Sequence, residues 1–228
     1  MHQPIDKKSK LYIYLFLLFF LTTFNNFSLI NSEYFKLKIN QIKVTGLSDE
    51  NNFKILTDLD GLILENIFSI NKYYFLSILE KNNLIHSFKI KKIYPNSIEV
   101  KIKKTDLLAI TNIDGNFFFI GSNGKLINYD FSHKNLPYIF GTVKANDFVN
   151  FAKIIEQSKF NFKEISEIYF FPSGRWDIKN KDGKLFMLSK KNLLKSLNLA
   201  YRIINNKKFK NSQIIDLRVL NHIVLTDE

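Results

Sequence analysis

Residues 88–103 read FKIKKIYPNSIEVKIK, and the periodicity of this segment indicates how the first half of the chain folds. Apolar residues alternate with charged ones on both sides of Pro95-Asn96, a dipeptide typical of turns. The pattern predicts a β-hairpin with one apolar face and one solvated face. The lysines on the solvated face are Lys89, Lys91, Lys101 and Lys103.

A strand and two helices are predicted upstream of this hairpin. Leu37, Ile39, Ile42 and Val44 favour a strand. Ser48 and Asp49 stand where a helix cap belongs. The apolar stripes of the two helices are Phe53, Leu56 and Leu59, then Tyr74, Phe75, Ile78 and Leu79 within residues 71–82. The resulting β-α-α-β-β order lets two helices cover one face of a three-stranded sheet.

The second half of the chain predicts a β-rich domain with two helices, so the fold class is α+β. Turn signals such as Asp114-Gly115 and Ser173-Gly174 separate short apolar runs, and Trp176 is interpreted as a core residue. Strands are predicted at 109–113, 117–121, 125–129, 165–171, 176–179, 185–188, 214–217 and 223–226. The helices are predicted at 146–159 and 192–205.

The beginning of the chain has the composition of a membrane anchor. Leu11 to Leu21 carry no charge, and the uncharged stretch continues to Ile30, which is long enough for about 20 residues of helix. A cleaved signal peptide is the alternative, but the stretch lacks a small-residue cleavage site. Because lysines precede the apolar run, the chain beyond residue 32 is expected outside the cytoplasm.

Composition and motifs give no support for an enzyme or a metal site. The 33 basic and 21 acidic residues give a net charge of +12, and the 228-residue chain has no cysteine. Thiolate zinc sites and disulfides are therefore excluded. The four histidines lack metal-ligand spacing, and no phosphate-binding glycine loop or nucleophile elbow occurs. We predict no catalytic residues, no metal and no cofactor.

A few polar residues in the second half are candidates for a partner contact. Asp216 and Arg218 lie two apart on one strand face, where they could pair with charges on a neighbouring strand or meet a partner. Arg175 next to Trp176 is a further candidate. None of them suggests catalysis.

The order of parts resembles the bacterial cell-division family FtsQ, called DivIB in Gram-positive bacteria. The motifs that carry the resemblance run from residue 94 to residue 218. They are Tyr94-Pro95-Asn96-Ser97-Ile98-Glu99-Val100, Asp114-Gly115 with Gly124, Leu136-Pro137-Tyr138-Ile139-Phe140-Gly141, Arg175-Trp176-Asp177-Ile178 with Asp182-Gly183, and Ile215-Asp216-Leu217-Arg218.

The resemblance implies four parts: a cytoplasmic tail (1–10), a transmembrane helix (11–30), a POTRA (polypeptide-transport-associated) domain (34–104) and a β domain (105–228). It implies a single-pass type II protein of the bacterial inner membrane, with its bulk in the periplasm. Such a protein would be a non-catalytic divisome scaffold at the division septum that recruits FtsB and FtsL.

In this family, the strand after the D-L-R motif is an exposed edge to which a segment of FtsB adds as another strand. The residues carried over are Arg218, Val219, Leu220, Asn221, His222, Ile223 and Val224, with Arg175 as a further contact. Few residues follow Ile223 and Leu225, so we expect this edge to stay uncovered.

Two other functions compete with the scaffold. The first is a POTRA-bearing adaptor in outer-membrane protein assembly or secretion, although the second half has too few alternating ten-residue strands for a barrel. The second is a secreted enzyme or a cell-wall binding module. It would predict turnover, or sedimentation of residues 33–228 with peptidoglycan.

Overall fold

The computed structural model describes residues 7–23, 37–130, 135–219 and 222–226. Helix α1, Lys7–Thr23, comes first, and its side chains from Leu11 to Leu21 are each 50–69% exposed. Within the described ranges, no helix combines the length and apolar character needed to cross a membrane. The predicted span 11–30 coincides with α1 as far as Thr23, and residues 24–30 lie outside the described ranges.

The first domain has the predicted β-α-α-β-β order. Its elements are β1 (Gln41–Thr45), α2 (Asp49–Asp58), α3 (Lys72–Leu79), β2 (Ile85–Ile93) and β3 (Ser97–Lys104). Strand β3 occupies the centre of the sheet, parallel to β1 and antiparallel to β2. Helix α3 begins after Asn71, whose side-chain oxygen accepts the backbone N–H groups of Tyr73 and Tyr74 and so satisfies two unpaired donors.

The core of the first domain lies between the sheet and the two helices. The buried residues of the strands are Ile42, Ile85, Ile98, Val100 and Ile102, and those of the helices are Ile55, Phe75 and Leu79. Two predicted core residues are exposed instead, Phe53 by 70% and Tyr74 by 40%. The apolar stripe of α2 runs through Ile55, and a residue two positions away points to the opposite side of a helix.

The second domain is built on one nine-stranded mixed sheet. Its strands are β4 (Leu107–Ile113), β5 (Asn116–Gly121), β6 (Leu126–Asn128), β7 (Tyr138–Phe140), β8 (Ile165–Phe170), β9 (Trp176–Asn180), β10 (Leu185–Leu188), β11 (Ile214–Leu217) and β12 (Val224–Thr226). They lie in the order β12-β11-β10-β9-β8-β7-β4-β5-β6. The sequence did not predict β7, which lies between β4 and β8 and parallel to both.

Two helices, α4 (Ala145–Gln157) and α5 (Leu193–Ile204), cover one face of this sheet. Trp176 is 8% exposed beneath α4, and its ring stacks on Phe151 with centroids 4.3 Å apart. The interpretation of Trp176 as a core residue is confirmed. Ser173-Gly174 forms the turn before β9, as predicted, and Gly174 adopts a φ of +77° there.

The two domains are joined by hydrogen bonds to the backbone rather than by a long linker. The side-chain amide of Asn123 donates to the carbonyl oxygens of Asn83 (2.8 Å) and Ile85 (2.9 Å). In return, the side-chain amide of Asn83 donates to the carbonyl oxygen of Leu126 at 2.7 Å. Leu84 also packs against an apolar cluster on β4, β5 and β6, so the first domain is attached at the β5–β6 end of the large sheet.

Candidate partner-binding edge of the C-terminal sheet

Strand β12 ends the large sheet on the side away from the first domain. It pairs antiparallel with β11, with Asp216 opposite Val224 and Ile215 opposite Leu225. Among the residues that the structure describes, no strand pairs with its other side. One row of backbone N–H and C=O groups therefore faces outward.

The apolar side chains around this edge are exposed. Val219 is 60% exposed, Ile223 37%, Val224 57% and Leu225 41%. His222 is also exposed, whereas the predicted residues Leu220 and Asn221 lie outside the described ranges. The unpaired N–H and C=O groups of an edge strand are a template for pairing with another chain, and here the exposed side chains beside them are apolar.

An arginine–carboxylate pair lies where β11 ends. The Arg218 Nε donates to the Asp216 carboxylate at 2.9 Å, and the Arg218 backbone N–H donates to Asp216 Oδ1 at the same distance. These hydrogen bonds, chiefly the one from the side chain, hold the pKa of Asp216 below its ordinary value. Asp216 therefore pairs with its own strand neighbour rather than with a charge on the next strand.

A second pair, Arg175 and Asp177, lies at the start of β9. The guanidinium of Arg175 donates to both carboxylate oxygens of Asp177 at 3.1 Å and lies over the ring of Phe171, 4.0 Å from its centroid. Asp177 is 3% exposed, and its carboxylate also accepts the Leu188 backbone N–H at 3.3 Å. Burial raises the pKa of Asp177, and Arg175 opposes that rise.

The two pairs lie on the same face of the sheet. Asp177 and Asp216 both stand opposite Met187 of β10, and Asp216 stands opposite Val224 of the edge strand. The structure thus brings five predicted residues together at the edge: Arg218, Val219, His222, Ile223 and Val224. Arg175 is separated from β12 by β10 and β11, and its side chain is held by Asp177.

A groove that the sequence did not predict lies behind the edge, between α5 and the β11–β12 connection. It encloses about 510 Å³ and is lined by Lys195, Leu199, Arg202, Val219 and Ile223, among others. Lys195 and Arg202 are two helical turns apart on the exposed side of α5. The seven-residue spacing of Lys195 and Arg202 is visible in the sequence, but only the fold shows that both side chains lie beside Ile223. In the described part of the chain, no group of three His, Asp or Glu side chains is placed to hold a metal ion.

Comparison with known protein families agrees with this architecture. Residues 37–104 match the FtsQ-type POTRA domain, and residues 109–218 match the C-terminal domain of the cell division protein FtsQ/DivIB. The chain belongs to the FtsQ/DivIB family. The first domain is accordingly its POTRA domain, and the nine-stranded sheet with its two helices is its β domain.

Individual relatives carry the same family name. The chain is 34% identical over 74 residues to the cell division protein DivIB of Clostridium botulinum (strain Loch Maree / Type A3), covering 32% of this chain and 29% of that protein. It is 25% identical over 152 residues to DivIB of Staphylococcus aureus (strain NCTC 8325 / PS 47), covering 65% and 33%. These matches span no more than about a third of the relatives' length.

A solved structure is also similar. It is the major extracytoplasmic domain of the trans isomer of DivIB from Geobacillus stearothermophilus, at 15% identity and a TM-score of 0.33. The similarity covers 42% of this chain and 87% of that one.

Proposed function

We propose that this protein is a non-catalytic scaffold of the cell-division machinery that captures a partner by strand addition at β12. The observation that carries the proposal is the outward-facing backbone of β12, bordered by the exposed Val219, Ile223 and Val224. FtsB is the partner that the family resemblance implies for this edge, with FtsL recruited alongside it.

Backbone pairing would supply most of the affinity. An added strand hydrogen-bonds to the main chain, while pockets for alternate side chains supply selectivity. Side chains of an added strand that point toward α5 would enter the groove beside Ile223, and those on the other face would lie on the side of the sheet that carries Arg218. Lys195 and Arg202 in the groove favour acidic side chains on the partner.

We also propose that residues 11–30 anchor the protein in the membrane, with the POTRA and β domains outside the cytoplasm. The exposure of all eleven apolar side chains from Leu11 to Leu21 supports an anchor, because such a surface is unfavourable in water. Lys8 and Lys10 precede the apolar run, which favours a cytoplasmic start. In this arrangement the edge strand faces an extracytoplasmic partner at the division septum.

A proline scan of the edge tests strand addition. Successive strand residues direct their N–H groups to opposite sides, so one of Val224 and Leu225 donates toward β11 and the other outward. Proline at the outward position removes a donor to the partner while keeping the pairing with β11. The measurement is co-purification of FtsB with the full chain, compared for Ile223→Pro, Val224→Pro and Leu225→Pro.

The expected result is that at least one proline variant keeps its thermal unfolding midpoint and loses FtsB. Val224→Thr is the matched control, because it changes the side chain and leaves the backbone donor in place, so it should retain most of the binding. Capture of FtsB by every stably folded proline variant would reject strand addition. A photo-crosslinking scan from Arg218 to Leu225 in dividing cells then identifies which protein is bound.

A further inference from the structure

The outer face of the POTRA sheet carries a concentrated positive charge. The strand register gives the residues of this face. Lys43 and Lys91 stand on either side of Glu99. Lys101 lies between Thr45 and Lys89, and Lys103 stands opposite Ser87. The five lysines of this face are Lys43, Lys89, Lys91, Lys101 and Lys103. All five are exposed, and we call this surface the lysine face.

Compensating carboxylates are nearly absent from these strands. Glu99 is the one acidic residue at an outward position of β1, β2 and β3 as the structure describes them, and it pairs with Lys101 at 3.4 Å. Lys89 stands directly opposite Lys101, an arrangement of like charges that destabilises a sheet. The face therefore has an electrostatic cost that a bound anion would relieve.

The position of this face along the chain limits which anions it can meet. Six residues, 31–36, separate the proposed anchor, residues 11–30, from the first described residue of the POTRA domain. A chain of six residues spans at most about 20 Å, so the anchor keeps the POTRA domain close to the bilayer surface. Basic side chains are attracted to anionic lipid head groups over roughly a Debye length, about 8 Å at physiological salt.

We infer that the lysine face of the POTRA domain binds the phosphate head groups of anionic phospholipids in the membrane that carries the anchor. This inference rests on the proposed anchoring of residues 11–30. The inference gives a function to the face of the POTRA sheet that points away from the helices. This surface is distinct from the edge strand of the β domain. Lipid contact would fix the orientation of the POTRA domain, and with it that of the attached β domain.

The test uses the full chain in lipid nanodiscs. Because the chain has no cysteine, Ser87→Cys creates a single site for a fluorophore on the lysine face. Ser77→Cys places the same label on the exposed surface of α3, on the helical side of the domain. Nanodiscs of phosphatidylcholine, with or without phosphatidylglycerol, carry a trace of a lipid with a nitroxide head group that quenches nearby fluorophores.

We expect phosphatidylglycerol to increase quenching at position 87 by at least about twofold and to leave position 77 unchanged. Salt at about 1 M, where the Debye length is about 3 Å, should abolish the difference. Replacing Lys89 and Lys101 by Gln should reduce it by more than half, because these are facing charges at the centre of the patch.

Equal quenching at position 87 in both lipid compositions would overturn the inference. If the double Gln variant nevertheless impaired division, an acidic protein would be the ligand instead. Resistance of the reconstituted chain to alkaline extraction is measured in the same samples and reports on the anchor alone. A chain that is extracted refutes the anchor and the lipid contact together, whereas an integrated chain with lipid-independent quenching refutes only the lipid contact.

Discussion

The side-chain amide of Asn123, in a turn of the β domain, donates to the backbone carbonyl of Asn83 in the POTRA domain at 2.8 Å. It also donates to the carbonyl oxygen of Ile85, so one side chain satisfies two acceptors of the neighbouring domain. A contact of this kind transmits the position of one domain to the other.

Asn123→Ala should therefore uncouple the unfolding of the two domains. The two hydrogen bonds are exposed or partly buried, and at a net contribution of about 0.5–1.5 kcal/mol each their loss should cost about 1–3 kcal/mol. Trp176, the one tryptophan, reports on the β domain by fluorescence, and circular dichroism reports on both domains. In urea, the two probes should coincide for the parent protein and separate for the variant.

The matched control for that experiment is Asn112→Ala. The Asn112 side chain also makes a hydrogen bond to the backbone, in which its Oδ1 accepts the Gly115 N–H at 3.0 Å, but within a single hairpin. Its two unfolding curves should remain superimposed. Coincident curves for Asn123→Ala would mean that the amide does not couple the domains.

Gly141→Ala should destabilise the β domain severely. Gly141 follows β7 at a φ of +97°, and an added Cβ would come within 2.2 Å of the Phe170 carbonyl oxygen. Backbone strain alone costs about 1–2 kcal/mol, and the steric clash adds to it, so we expect a loss of at least about 3 kcal/mol in urea unfolding.

Comparison with Gly115→Ala separates the cost of backbone strain from the cost of the steric clash. Gly115 has a similar φ of +84°, but an added Cβ meets nothing within 4 Å. It should cost about 1 kcal/mol, the strain without the clash. Equal losses of unfolding free energy for the two variants would show that the clash with the Phe170 carbonyl oxygen does not contribute.

The acid sensitivity of the edge should depend on Asp216. Since its pKa in the folded protein lies below the ordinary 3.8, the ionised carboxylate stabilises the fold above that value. This contribution to the free energy of unfolding disappears as the pH falls below 3.8 toward the lowered pKa of the folded state. Asp216→Asn should be less stable than the parent at neutral pH, and the difference should vanish in strong acid.

The stability contributed by Asp177 should depend on pH in the opposite direction. Its pKa is raised, so the folded protein binds this proton at a higher pH than the unfolded chain does. Protonation of Asp177 therefore stabilises the fold as the pH falls through the raised value. Unfolding midpoints measured against pH for both Asn variants distinguish the two cases, and parallel profiles would contradict these assignments.

Charge reversal on the lysine face should separate stability from ligand binding. Lys89→Glu places a carboxylate opposite Lys101 and should stabilise the POTRA domain by about 0.2–1 kcal/mol. Lys91→Glu instead places a carboxylate opposite Glu99 and should destabilise it by a similar amount. Both changes remove the same charge from the face, so both should weaken the phosphatidylglycerol effect, whatever their effect on urea unfolding.

The parts that could be predicted from sequence are those with a local signal. The hairpin of residues 88–103 has a strict alternation around a turn dipeptide, and it lies where predicted. The helical spacing of Phe53 with Leu56 and Leu59 predicts that Phe53 is buried, but the phase of a helix stripe depends on the sheet beneath it. Strand β7 is too short for a period-two pattern, and its strand state comes from β4 and β8 on either side.

For the candidate site, the local signal extends only to the end of β11, and the choice of the edge strand rests on the family resemblance. The Ile215-Asp216-Leu217-Arg218 motif marked the end of β11, and it led to the edge through family resemblance. The pairing of Asp216 with Arg218 depends on side-chain rotamers that no pattern specifies. The groove with Lys195 and Arg202 depends on the crossover of α5 between β10 and β11, which is a tertiary relationship.

The strand order of the β domain has a mechanical consequence. The POTRA contact lies at β5–β6 and the free edge at β12, with the whole sheet between them. Eight inter-strand spacings of about 4.8 Å make a rigid strut of roughly 40 Å. A protein bound at β12 would lie about that distance from the POTRA contact. Tension on it would act along the inter-strand hydrogen bonds, so the weakest ladder between β12 and β6 would limit the load that the sheet can bear.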